Sequence, residues 1–226
     1  IEHDADRVDV RLGTDALARA LLWRHVCGGP DDGAFAGDLV EAGIRDDAAG
    51  RFRQGDEWVR VGSHLGANPP FVREMVERAL ERFQSEAPAN IIERVAWFHC
   101  EFEMIHPFVD GNGRIGRVLM NHQLLRAGMP PVIVRARSRR TEYYPALDVY
   151  SRTDRHDEMT RLLALLVLEA LRKRIALLTS PDVISLAQWA RSADMRGNVA
   201  ANRAKRQTLP AFRMRDRWMI ASDHRE

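Results

Sequence analysis

Apolar positions in this chain recur mostly at the three-to-four residue spacing of helices. Thr14 to Val26 carries Leu17, Leu21 and Leu22 on one face, with Thr14 as N-cap and Gly28-Gly29-Pro30 as the stop. A short helix follows around Phe35 to Ala42, and another is expected from Phe71 to Phe83. Asn90 to Ile105 has an apolar stripe of Ile91, Ile92, Val95, Phe98, Phe102 and Ile105. The pattern restarts at Arg114 with Ile115, Val118, Leu119, His122 and Leu125, and stops at Gly128 and Pro130-Pro131. Met159 to Leu178 is dense in leucine and reads as a long buried helix. Strand-like alternation occurs in Arg51-Phe52-Arg53 and Trp58-Val59-Arg60-Val61, across a Gln54-Gly55-Asp56-Glu57 turn, which predicts a hairpin over 51–61. Ser180-Pro181-Asp182 marks a boundary. Beyond it come helices at 185–193 and 199–206, then strands at 209–212 and 218–221 joined at Arg215-Asp216. The fold class is mainly α, with a helix–turn–helix–wing at the end.

The 226 residues are 45% hydrophobic, so the chain is globular, with room for one medium domain and a small appendage. A net charge of +2 is too mild to argue for nucleic acid over the whole length. Cys27 and Cys100 form no spacing pattern, so reduced, buried thiols and a cytoplasmic setting are expected. No apolar run reaches membrane-spanning length, so no membrane partner is expected. Ile1 in place of Met implies that residues precede it.

The chemistry concentrates in His106-Pro107-Phe108-Val109-Asp110-Gly111-Asn112-Gly113-Arg114-Ile115-Gly116-Arg117. His106 can accept a proton near neutral pH. Pro107 disfavours helix at His106, so the incoming helix should stop there and present it at a loop edge. Asp110 suits one contact with Mg²⁺. Gly111, Asn112 and Gly113 can expose successive N–H groups at a helix N-terminus, where phosphate is favoured. Arg114 and Arg117 share one face of the first helical turn, a placement that opposes the helix dipole unless an anion sits there. A plain helical corner needs none of these five groups in this order. Near this string, His99 reads as a core histidine, because no second ligand stands beside it at metal-binding spacing. Glu103, one turn before His106, could orient it, or could be solvated.

This string resembles the complete signature of the Fic (Fido) family, HPFx[D/E]GNGRxxR, without departure, and the likeness extends over about Ile1 to Leu178. Family members transfer part of a nucleotide, usually AMP from ATP, to a protein hydroxyl. The resemblance implies a Fic-type helical bundle over 1–179 with a β-hairpin flap at 51–61. ATP would be the substrate, with Mg²⁺, and the Asn112 amide would help to hold its α- and β-phosphates. Trp58, Val59, Arg60 and Val61 would hold the target segment, and Tyr143 and Tyr144 would lie near the adenine pocket. His64 could line the site. Ile1-Glu2-His3 is similar to the end of the family's inhibitory helix, making 1–13 a remnant of that segment and pairing Glu2 with Arg117. His3 stands where the family has Gly or Asn, and the motif's Ser or Thr would fall before residue 1. The expected partner is a target protein or the chain itself, and family members often form homodimers. Residues 182–226 resemble small winged helices, and Arg203, Lys205, Arg206, Arg213, Arg215 and Arg217 would suit DNA phosphates, with a protein-docking or purely structural appendage as the alternative reading. Other outcomes compatible with the string are removal of AMP, transfer of UMP, phosphate or phosphocholine, and a DNA-binding regulator.

Overall fold

The computed structural model of the protein describes residues 51–61, 64–85 and 90–225. The helices expected at 14–26 and 35–42, the segment carrying Glu2, and Cys27 lie outside the described residues. Two antiparallel strands, β1 (Arg60–Val61) and β2 (His64–Leu65), precede a 3-10 turn at Pro69–Phe71 and helix α1 (Val72–Ser85). Helix α2 (Ile91–Ile105) follows, then α3 (Asn112–Arg126). A short turn of helix at Ala136–Ser138 runs through a π-helical stretch, Arg139–Tyr143, into α4 (Tyr144–Thr153). Helix α5 (Asp157–Thr179) closes the bundle.

The apolar stripe of α2 becomes the centre of the core. Asn90 caps its start, its Oδ1 accepting from Ile92 N–H at 3.0 Å. Val95, Phe98, Phe102 and Ile105 are buried in one cluster with Leu80 of α1, Leu119 of α3 and Leu163 of α5. Each large apolar side chain buried this way is worth about 1.5–3 kcal/mol. The helix ends at His106, which adopts φ 52° and ψ 62° in the left-handed region. Pro107 therefore acts as the sequence pattern expects, and α2 delivers His106 at the edge of a loop.

The hairpin differs from expectation. The paired residues are Arg60 with Leu65 and Val61 with His64, continued by Gly66 N–H to Val59 O at 2.9 Å. Residues 54–57 close a local turn, with Gly55 at φ 56°, and 51–53 do not pair with 58–61. The reason is Arg53, which is 1% exposed. Its N–H donates to Pro107 O at 2.9 Å. Its guanidinium donates to His106 O (2.6 Å), Ile105 O (3.0 Å), Ala67 O (2.8 Å) and Glu57 O (2.8 Å). A helix C-terminus leaves carbonyls without intrahelical partners, and a cation is favoured there. Burial holds the Arg53 guanidinium below its ordinary pKa, with Glu57 opposing.

The C-terminal unit is built as β3 (Val183–Ser185), α6 (Leu186–Ser192), α7 (Gly197–Lys205), β4 (Phe212–Met214) and β5 (Arg217–Ala221). Its sheet has the order β3-β5-β4. The β4–β5 turn puts both Arg215 and Asp216 at positive φ, as a two-residue type I′ hairpin requires. Strand β3 carries no signal in the sequence. It forms because Val183 to Ser185 pair with Ala221 to Met219. A separate apolar cluster holds the unit together, centred on Trp189, Leu186 and Ile220. Helix α5 fastens it to the bundle. Arg172 donates to Gln207 O and Leu209 O, both at 2.6 Å, and Glu169 accepts from Arg213 N–H at 3.1 Å. Part of the expected cationic cluster is thus engaged within the protein. Lys205 pairs with Glu142 of the bundle at 3.3 Å, and Arg213 stacks on Trp218 at 4.4 Å.

Replacing Arg53 with Met should orphan several buried carbonyls at once. The expected cost is about 3 kcal/mol or more, read as a lower urea midpoint at unchanged m-value. A shift below about 0.5 kcal/mol would refute the central role given to this side chain.

Candidate active site

His106 sits between α2 and the loop to α3 and is 9% exposed. A non-glycine residue in the left-handed region is strained by about 1 kcal/mol or more. Three hydrogen bonds hold it there. Its N–H donates to Phe102 O at 3.0 Å, its carbonyl accepts from Arg53 Nε, and its ring Nδ1 lies 2.8 Å from Glu103 O. A carbonyl oxygen only accepts, so Nδ1 carries the proton, and Nε2 keeps its lone pair. Burial lowers the pKa of His106, helped by Arg53 and His64 and opposed by the Glu103 carbonyl. The ring is therefore neutral near pH 7, in the tautomer a proton acceptor needs.

His64 lies close by on β2, its Nε2–H donating to Met104 O of α2 at 2.9 Å. Gly66 packs against the same corner. A Cβ there would stand 3.1 Å from His106 Cβ and 3.0 Å from an Arg53 nitrogen. The flap residues Trp58, Val61 and Leu65 are about half exposed.

The phosphate-type cradle forms one or two residues earlier than the helical pattern alone predicts. Gly111 is the N-cap at φ 82°, and Asn112 and Gly113 already belong to α3. Their N–H groups lie in the first turn, where no intrahelical acceptor exists. Asn112 differs from expectation. It is 2% exposed, and its amide is committed at both ends to Phe108, Oδ1 accepting from Phe108 N–H (2.8 Å) and Nδ2 donating to Phe108 O (2.7 Å). Its side chain braces the loop, which leaves only its backbone N–H for a ligand. Asp110 is exposed, its Oδ1 accepting from Gly111 N–H at 2.6 Å and its Oδ2 pairing with Arg114 at 3.2 Å.

Behind the cradle lies a buried polar group that sequence reasoning largely missed. Glu103 is 6% exposed, not solvated. The Tyr143 hydroxyl is within reach of both His99 Nε2 (2.7 Å) and Glu103 Oε1 (3.3 Å). His99 Nδ1 donates to Gly116 O at 3.2 Å. His99 is thus a core histidine, as expected, and burial pushes its pKa down to about 4. Burial raises Glu103 to about 7, while Arg117 and the Tyr143 hydroxyl pull it back. Tyr143 is 2% exposed and offers no open face for a nucleotide base; Tyr144, its ring 5.6 Å away, is half exposed. Gly116 is what lets α3 approach α2 here. A Cβ would fall 2.6 Å from Glu103 Oε1 and 3.1 Å from Phe102. A lone glycine inside a helical pattern was the available signal for that contact. Nothing in the sequence marked Arg53 or Glu103 as buried.

Residues 37–124 match the model of the Fic/DOC family. Over 103 residues the chain is 39% identical to the protein adenylyltransferase fic-1 of Caenorhabditis elegans, covering 45% of this chain and 20% of that protein. The chain therefore spans about a fifth of the length of the curated relatives it matches. A structure of a Fic-1 fragment from C. elegans is 26% identical with a TM-score of 0.54, covering 79% of this chain and 55% of that one. A Fic family protein from Desulfovibrio desulfuricans shares the fold over 93% of this chain and 75% of its own, at 19% identity and a TM-score of 0.53.

Two outcomes follow for the buried group. Gly116→Ala should lower stability by about 1–3 kcal/mol, although alanine is the better helix former, because the added carbon must displace Glu103 or part the helices. A rise in thermal midpoint would show that α2 and α3 tolerate the carbon. The second outcome concerns pH. A carboxyl whose folded pKa lies above its unfolded value contributes stability at low pH and loses it as pH rises through the folded value. Between pH 5 and pH 8 the wild type should therefore lose stability relative to Glu103→Gln, by an amount on the order of 2 kcal/mol. Parallel urea midpoints across that range would overturn the reading.

Proposed function

We propose that this chain, whose residues 37–124 are a Fic/DOC family domain, is a protein adenylyltransferase that moves AMP from ATP to a Ser, Thr or Tyr hydroxyl of a protein, itself included. The observation that carries this reading is His106. Its ring is fixed by Glu103 O with Nε2 left as acceptor, six residues before the start of α3.

In this reading the donor's phosphates rest on the N–H groups of Asn112 and Gly113 and on the positive end of α3. Arg114 and Arg117 take the charge of the β- and γ-phosphates. A hydroxyl held along the flap gives its proton to His106 Nε2 as its oxygen attacks the α-phosphorus. The bond from that phosphorus to the bridging oxygen breaks, and pyrophosphate leaves. Such catalysis is mostly positioning and electrostatics. Asp110 fits Mg²⁺: its carboxylate is exposed at the rim of the cradle, and Mg²⁺ characteristically takes one or two carboxylates plus substrate phosphates. Among the described residues no cluster of three or more His, Cys, Asp or Glu could hold a metal by itself, which fits an ion held mainly by the donor. When bound, the ion supplies charge neutralisation of the phosphates. The exposed edges of β1 and β2, with Trp58, Val61 and Leu65, support main-chain capture of an extended target segment. Glu2, by pairing with Arg117, would deny that guanidinium to the γ-phosphate. Among the described residues no helix is long and apolar enough to cross a membrane.

Intact mass after incubation with ATP and Mg²⁺ tests the reading. Glu2→Gly should gain one AMP unit, wild type less, and His106→Ala none, since a lost general base costs ~10²–10⁴-fold. Full labelling of His106→Ala would refute the assigned base.

A further inference from the structure

The hydroxyl of Tyr143 has one proton and two neighbours that compete for it. His99 Nδ1 faces the carbonyl of Gly116, so it carries the ring's proton and Nε2 must accept. The shorter contact, 2.7 Å, is therefore Tyr143 O–H to His99 Nε2. With that proton committed, the 3.3 Å contact to Glu103 is a hydrogen bond when Glu103 is protonated and donates to the Tyr143 oxygen. Proton by proton, the relay runs Glu103 to Tyr143 to His99 to Gly116 O. It ties α2 to the first turns of α3.

On its other side Glu103 meets Arg117. Both groups converge on Gly113, where an added Cβ would lie 3.1 Å from Arg117 Nη1 and 3.9 Å from each Glu103 oxygen. Arg117 favours the ionised carboxylate, while burial favours the neutral acid. The other groups facing this pocket do not change charge near neutrality. His99 is held neutral, and burial pushes Cys100 and Tyr143 up. The two arrangements leave Arg117 in different conditions. Beside a carboxylate part of its charge is offset; beside a neutral acid none of it is.

We propose that Glu103 is a positioning residue for the nucleotide, its buried carboxyl setting how much positive charge Arg117 presents to the donor's β- and γ-phosphates. This rests on the nucleotide-transfer reading of the same site. It adds an internal carboxylate that competes for Arg117 from inside the fold. Acidification strengthens binding of a triphosphate, and a donor lacking the outer phosphates is indifferent to the state of Glu103.

The test is direct binding of ATP and of AMP, with Mg²⁺ fixed, to wild type and to Glu103→Gln between pH 6 and pH 8.5. The variant carries a permanently neutral group of the same shape. Titration of the γ-phosphate itself is common to both proteins and cancels in their ratio. The expected result is equal ATP affinity at pH 6 and about 3–10-fold tighter binding by Glu103→Gln at pH 8, with AMP showing no such difference. Absence of ATP binding in both wild type and Glu2→Gly overturns the nucleotide reading and this inference with it. A wild type that binds ATP with the same pH profile as Glu103→Gln overturns this inference alone. Should Glu103→Gln fail to fold, Tyr143→Phe removes the hydroxyl beside the Glu103 carboxyl and should move the pH midpoint of ATP binding; an unmoved midpoint overturns the proposal.

Discussion

The constraint on which the site depends is the buried C-terminal end of α2. A helix that stops inside a protein leaves its last carbonyls without partners, and water cannot reach them. Here the guanidinium of Arg53 satisfies Ile105 and His106 together, and binds Ala67 and Glu57 besides. That one planar fork draws the 51–53 stretch away from hairpin pairing and sets where the flap can begin. It also fixes the carbonyl of His106, which stabilises a left-handed residue that would otherwise relax. His106, the flap and the loop to α3 are positioned by this single group.

The 106–117 string was legible because its residues act locally. Pro107 ends a helix by its own ring, Gly111 starts one by its positive φ, and the spacing of Arg114 and Arg117 fixes their common face. The long helices were legible for the same reason, since the period of α2 and α5 survives in the sequence. What could not be read is what depends on contacts between distant segments. The hairpin register follows from Arg53 reaching residues 105 and 106. Strand β3 exists because β5 lies beside it. Glu103 has the composition of a surface residue and becomes a core one because Gly116 admits α3 so closely. Asn112 looked like a ligand-binding amide, and the loop it closes, four residues back, claims it first.

The site thus has two layers. The outer one, with Asp110, Arg114 and the first N–H groups of α3, is open and charged. The inner one, with Glu103, Tyr143 and His99, is closed and shares protons. Arg117 belongs to both, and through it the closed layer can speak to the open one. A polar interior of this kind is tolerated because its members satisfy one another, and it rigidifies the α2–α3 contact that apolar packing alone would leave free to slide.

Helix α5 has 23 residues, about 34 Å of length, and serves two cores. Its first half packs Met159 and Leu163 into the bundle, while Glu169 and Arg172 hold the backbone of the C-terminal unit. The seam suggested by Ser180-Pro181-Asp182 is therefore a seam of sequence and not of mechanics. Force applied to the chain's end is delivered to the middle of α5, and so to the wall behind Tyr143. Whatever pulls on or docks with residues 182–225 has a lever arm already built into the bundle.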